Sequence, residues 1–124
     1  MTTTQSRQGV ILFAHGSRDP LWHQPMQQVA LRALTLNPQV VVTCAYLELT
    51  SPDLPSCAAD MVAQGVHNIT VVPMFLGVGR HAREDLPLLM DSVQAKYPHV
   101  QFKLQAAIGE HPMVVDLLAQ IALS

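Results

Sequence analysis

Two histidines, His15 and His81, stand where apolar runs give way to glycine-containing turns. The first lies in Ala14-His-Gly-Ser-Arg-Asp-Pro20. The second lies in Pro73-Met-Phe-Leu-Gly-Val-Gly-Arg-His-Ala-Arg-Glu-Asp-Leu-Pro87. Imidazole suits first-row divalent metals, and Glu48, which follows another apolar run, adds a carboxylate. Two ligands hold a metal loosely, as transfer requires, whereas a tight structural site wants four. Arg18, Arg80 and Arg83 sit close by in sequence, with Ser17 between His15 and Arg18. Guanidinium groups pair well with carboxylate or phosphate, so a polyanionic partner fits them. Imidazole also titrates near neutral pH and can take protons from a bound substrate. Glu48 fits a solvated strand-end carboxylate equally well. His23 lies just inside the first helix, where it could reach the cleft, with the surface as its expected place. His111 is expected at a helix N-cap or first turn. His67 and His99 fall in ordinary surface turns.

These residues need a scaffold that gathers them. Val10 to Ala14 is a continuous apolar run, as expected of a strand covered on both faces. Met26, Val29, Ala30, Ala33 and Leu34 then form a helical stripe, ended by Asn37-Pro38. Val40 to Leu47 is the second strand. Ser51-Pro52-Asp53 reads as a helix start, with Ser51 as cap and Pro52 in the first helical position. Leu54, Cys57, Ala58, Met61 and Val62 form its inner stripe, and Gly65 ends it. Ile69 to Phe75 is the third strand. It feeds a glycine-rich loop carrying His81, and a helix starting at Asp85-Leu-Pro87 follows. The inner face of that helix is Leu86, Leu89, Met90, Val93 and Tyr97. Val100 to Ala106 is the fourth strand, and Gly109-Glu-His-Pro112 opens a last helix with Val114, Leu117, Leu118 and Ile121 inward.

Alternation of this kind implies a single α/β domain over residues 1–124, three layers deep, with a four-stranded parallel sheet between helices. Residues 1–8 are expected to be a flexible tail. In such a sheet, ligands bind along the edge formed by the carboxyl ends of the strands. His15, Ser17, Arg18, Glu48, Arg80, His81, Arg83, Glu110 and His111 all map to that edge. If the first and third strands are neighbours, roughly 4.8 Å apart, His15 and His81 face one cleft.

Composition narrows the partners. The 124 residues are 49% hydrophobic and only 13% charged, with a net charge of −2. That balance offers nothing to nucleic acid or an anionic membrane surface. It does suggest that another subunit covers part of the apolar surface. No apolar run reaches the roughly 20 residues needed to span a bilayer. Cys44 and Cys57 have no metal-like spacing and read as buried thiols of a cytoplasmic protein.

The segments His15–Pro20, Tyr46-Leu-Glu-Leu49 and Pro73–Pro87 resemble the signature segments of the sirohydrochlorin chelatase family, the class II chelatases. Gly109-Glu-His-Pro112 is similar to a weaker fourth one, and the resemblance runs from about Gly9 to about Ile121. It implies strand order 2-1-3-4 and insertion of a divalent metal into a tetrapyrrole without ATP or any other nucleotide. The length matches the short, single-domain CbiX type, which implies a homodimer in place of two fused halves. By position, His15 and His81 match the family's metal-binding histidines, and Glu48 its acidic position. The metal, Co2+ or Fe2+ with Ni2+ also suited, is then a substrate. Sirohydrochlorin's carboxylates would meet Arg18, Arg80, Arg83 and Ser17. Arg80 departs from the pattern, in which many members have glycine before the second histidine.

The resemblance implies a sequence of events. Metal is held by neutral His15 and His81, with Glu48 or water, and the macrocycle bends as it binds. A histidine or Glu48 accepts the two pyrrole protons. Protons compete with metal for imidazole, so such a site loses activity below about pH 6.5. A non-catalytic metal or tetrapyrrole carrier would use the same ligands. A histidine-based phosphatase fits less well, because arginine usually precedes its histidine and Ala14 stands here.

Overall fold

The computed structural model describes residues 7–124. Strand β1 (Arg7–Ala14) is followed by helix α1 (Pro20–Leu36), β2 (Val41–Tyr46) and α2 (Leu54–Ala63). Next come β3 (Val66–Pro73), α3 (Arg80–Lys96), β4 (Gln101–Leu104), a short 3-10 turn (Ile108–Glu110) and α4 (Pro112–Leu123). All four strands pair in parallel in the order β2-β1-β3-β4, as expected. Arg7 and Gln8 pair with Val66 and Asn68, so β1 reaches into the expected tail. The rest of that tail, residues 1–6, lies outside the described residues.

The topology explains the layers. The chain steps from β1 outward to β2 and returns across β1 to β3. Right-handed crossovers therefore put α1 on one face and α2 and α3 on the other. Side chains alternate accordingly. Ile11, Phe13, Ala45, Ile69 and Val71 pack under α2 and α3. Leu12, Ala14, Tyr46 and Val72 pack with Met26 of α1.

Several boundaries differ from the sequence reading. Helix α2 begins at Leu54, not Pro52, because Asp53 rather than Ser51 caps it, its carboxylate accepting Ser56 N–H at 2.9 Å. Ser51-Pro52 is a cis peptide bond outside the helix. Helix α3 begins at Arg80, not Asp85, with Arg83 N–H donating to Gly79 carbonyl at 3.0 Å. The reason is that Ala82 is buried and extends the stripe of Leu86, Met90 and Val93 by one turn. His81 is therefore in the first helical turn, not in a loop, and Pro87 is inside the helix.

Two helices bury less than their patterns suggested. In α1 only Met26 is buried, while Val29 and Leu34 remain exposed. In α4 nothing is buried, and its main contact is the preceding 3-10 turn. Strand β4 is shorter than expected and largely exposed, being an edge strand that α4 does not cover. No helix of the described residues is long and apolar enough to cross a membrane.

Asp53 provides a stability test. Hydrogen bonds from the Ser56 hydroxyl and backbone N–H hold its carboxyl below the usual carboxylate range. A depressed pKa contributes stability that is present above the unfolded value, about 3.9, and is lost as pH falls through the folded one. Asp53→Ala should cost about 1 kcal/mol, a drop of roughly 3–6 °C in Tm at pH 7. Thermal melts at pH 7 and pH 3 check this: the gap between wild type and variant should close in acid.

Candidate functional site

Backbone pairing continues beyond the strands and builds the carboxyl edge. Leu47 N–H donates to Ala14 carbonyl at 2.9 Å, and Glu48 N–H to His15 carbonyl at 3.0 Å. The loops after β1 and β2 are thus zipped together, with His15 and Glu48 side by side. Gly16 makes this possible: its φ is +99°, and a Cβ there would run into the Glu48 carbonyl.

The next turn is locked by its own side chains. Ser17 Oγ accepts Asp19 N–H at 3.0 Å, and Asp19 accepts Leu21 N–H at 2.9 Å as the cap of α1. Ser17 thus has a defined role in shaping the loop. His23, expected on the surface, is half-buried, with Nε2 2.7 Å from Ser17 carbonyl and its ring edge-on to Tyr46 at 4.8 Å. The aromatic seat of Tyr46 and Trp22 draws it inward and ties α1 to the loop that carries His15. Burial pushes the Tyr46 phenol up to about 12, so it stays protonated near neutrality.

On the other side, Met74 N–H donates to Phe13 carbonyl at 2.7 Å, carrying the β1–β3 pairing past its strands. The buried Phe75 ring lies 4.6 Å from the His15 ring, tilted at 41°, and limits how the imidazole can turn. Sequence reasoning missed the role of Phe75 and favoured the surface over the cleft for His23. An apolar strand residue and a helical histidine carry no local signal of such roles.

His81 follows on α3, exposed in the first turn, with Arg80 and Arg83 beside it. Gly79 caps that helix without a side-chain hydrogen bond, leaving backbone N–H groups for an anion. Arg80 Nε reaches Glu84 Oε1 at 3.2 Å, an exposed pair one helical turn apart. The edge also carries carboxylates, but Asp19 and Asp53 are engaged as caps and Glu84 by Arg80. Among the described residues Glu48 has no such engagement, and it is exposed beside His15. His111 caps α4, its Nδ1 accepting Met113 N–H, as its position suggested.

The neighbouring carboxyl ends of β1, β2 and β3 thus bring His15, Glu48 and the α3 basic turn to one edge. Within this single chain no cluster of three or more His, Cys, Asp or Glu among the described residues is positioned to hold a metal ion. A concavity of about 390 Å³ lies on the α2–α3 side, lined by Tyr46, Asp53, Leu54, Asp85 and Leu89 among others, and includes neither histidine. The histidines stand on an open edge instead. The Cys44 and Cys57 thiols are free, and burial raises both pKa values, so they stay protonated.

A family model described as CbiX matches residues 9–123. A sirohydrochlorin cobaltochelatase from Methanococcoides burtonii is 25% identical over 123 residues, spanning 93% of this chain and 94% of that protein. A sirohydrochlorin cobaltochelatase from Priestia megaterium is 28% identical over 109 residues, 88% of this chain but only 35% of that one. The chain thus spans about a third of its longer relative and nearly all of its shorter one. Among solved structures, a CbiX protein from Marinobacter aquaeolei superposes with a TM-score of 0.80 at 31% identity, over 94% of both chains. The sirohydrochlorin chelatase SirB from Bacillus subtilis in complex with cobalt gives 0.73 at 26% identity, over 94% of this chain and 50% of that one. Matched from residue 9 to residue 123, with its sheet in the expected order, the chain belongs to the CbiX family.

Proposed function

We propose that this protein inserts cobalt(II) or iron(II) into sirohydrochlorin or a close tetrapyrrole relative, without nucleotide. The observation that carries the reading is the placement of His15 and His81 on one edge of a CbiX-family sheet. Relatives named as cobaltochelatases and a ferrochelatase support both metals as substrates. His15 and His81 bind the incoming ion, with Glu48 as the adjacent carboxylate. The substrate carboxylates are met by Arg18, Arg83 and the free N–H groups of Arg80, with Ser17 holding the loop. A histidine or Glu48 takes up the pyrrole protons as the metal enters the ring.

Anaerobic assays with sirohydrochlorin and Co2+ test this. Metallated product should accumulate over many equivalents per protein; a plateau at one equivalent would make the protein a carrier.

The assembly we assign is a homodimer. An open histidine edge lacks the enclosure a macrocycle needs, and a second copy would supply it. Helix α4 supports the same reading: Asp116 is its one charge, and Met113, Leu117, Ile121 and Leu123 are all exposed. Sedimentation should give a dimer, and a Leu117→Lys/Ile121→Lys variant a monomer with strongly reduced turnover. The free thiols of Cys44 and Cys57 suit a reducing cytoplasm.

A further inference from the structure

Two leucines stand exposed on the carboxyl edge, one of them on a strained backbone. Leu49 has φ of +70°, the left-handed region that non-glycine residues seldom occupy, and its side chain is 53% exposed. Asparagine or glycine would relieve the backbone, and a polar side chain would relieve the surface. Leucine does neither. Backbone strain and exposed apolar area together point to a use outside the core.

Leu76 is 71% exposed, and its backbone is wedged in place. Gly109 N–H donates to Phe75 carbonyl at 2.9 Å, and a Cβ on Gly109 would collide with the Leu76 backbone. Its side chain is thus presented by a rigid support.

The two positions flank His15. Leu49 follows Glu48, whose N–H bonds to the His15 carbonyl, and Leu76 follows Phe75, whose ring packs on the His15 ring. Because β2 and β3 lie on either side of β1, the segments that carry the two leucines leave the sheet on either side of the one that carries His15. Basic residues lie on the same edge, Arg18 on the β1 loop and Arg80 and Arg83 on α3. An apolar pair beside a metal-ligating histidine, with cations on the same edge, complements a macrocycle whose faces are largely apolar around the central nitrogens and whose rim carries carboxylates.

We infer that Leu49 and Leu76 form the apolar seat for the face of the tetrapyrrole, setting its plane over His15 and thereby its selection. The inference rests on the chelatase reading and adds to it the residues that recognise the macrocycle core rather than the metal or the carboxylates.

The test uses the full chain with sirohydrochlorin, titrated without metal by absorbance and assayed for metallation with Co2+. Leu49→Asn and Leu76→Ser should each raise Kd and KM about tenfold. Cobalt affinity should stay unchanged, and Leu76→Met should restore binding. Leu49→Asn should melt no lower than wild type, because asparagine tolerates the left-handed region. Values within about twofold of wild type in both leucine variants, with the wild type active, would overturn this inference alone. Weakened binding accompanied by a Tm loss of several degrees would assign the leucines to folding and also overturn it. A wild-type protein that neither binds nor metallates the tetrapyrrole would remove the chelatase reading and this one together.

Discussion

Alanine at His15 or at His81 is expected to lower kcat/KM for metal insertion by at least about a hundredfold. Loss of a metal ligand costs more than loss of its supporting contacts, which is itself worth about 10–100-fold. Loss of a proton acceptor in the transition state adds to this. Both side chains are exposed, so neither variant should melt more than a degree or two below wild type. Affinity for the metal-free macrocycle should also persist, since the ring is met by other residues. The double variant is the sharper measurement. Two groups holding one ion act as a unit, so removing both should cost little more than removing one. Penalties that multiply would mean that the histidines act separately. Turnover that survives in both single variants would defeat the proposed mechanism.

Gly16→Ala should be as damaging by a different route. At φ of +99° any Cβ is strained, about 1–2 kcal/mol, and here it also meets the Glu48 carbonyl. Relief requires parting the loops after β1 and β2, at the expense of the hydrogen bonds from Leu47 and Glu48 at about 0.5–1.5 kcal/mol each. A total of about 2–5 kcal/mol corresponds to a Tm lower by roughly 8–20 °C. Activity should fall further than stability, because the same movement separates His15 from Glu48. Gly65→Ala is the control. Gly65 has φ of +85° but nothing within 4 Å of a Cβ, and it lies on the opposite edge of the sheet. It should therefore lose about 1 kcal/mol from the backbone and leave turnover unchanged. Equal effects at the two glycines would show that the contact with Glu48 carries no weight.

The edge that gathers His15, Glu48 and His81 was legible in the chain because chemistry and topology coincide there. Continuous apolar strands alternating with striped helices require a parallel sheet, and a parallel sheet puts every strand's carboxyl end on one side. The resemblance carried by His15–Pro20 and Pro73–Pro87 then ordered the strands and gave the arginines a partner. Periodicity could not locate where helix α3 starts. Pro87 looked like a first-turn proline, and burial of Ala82, a tertiary contact, moved the start to Arg80. Nor could the stripe in α4 reveal that none of the described residues buries it. An apolar face shows that a helix seeks a cover, not which surface supplies it. His23, Phe75, Leu49 and Leu76 belong to the same class. Each takes its role from a neighbour distant in sequence: the Ser17 carbonyl, the His15 ring, the zipped β1–β2 loops and the support at Gly109. Residue types and spacing determined which groups meet at the edge, because strand direction follows from a local pattern. How those groups are held, and which apolar side chains surround them, depended on long-range packing that only the folded chain contains.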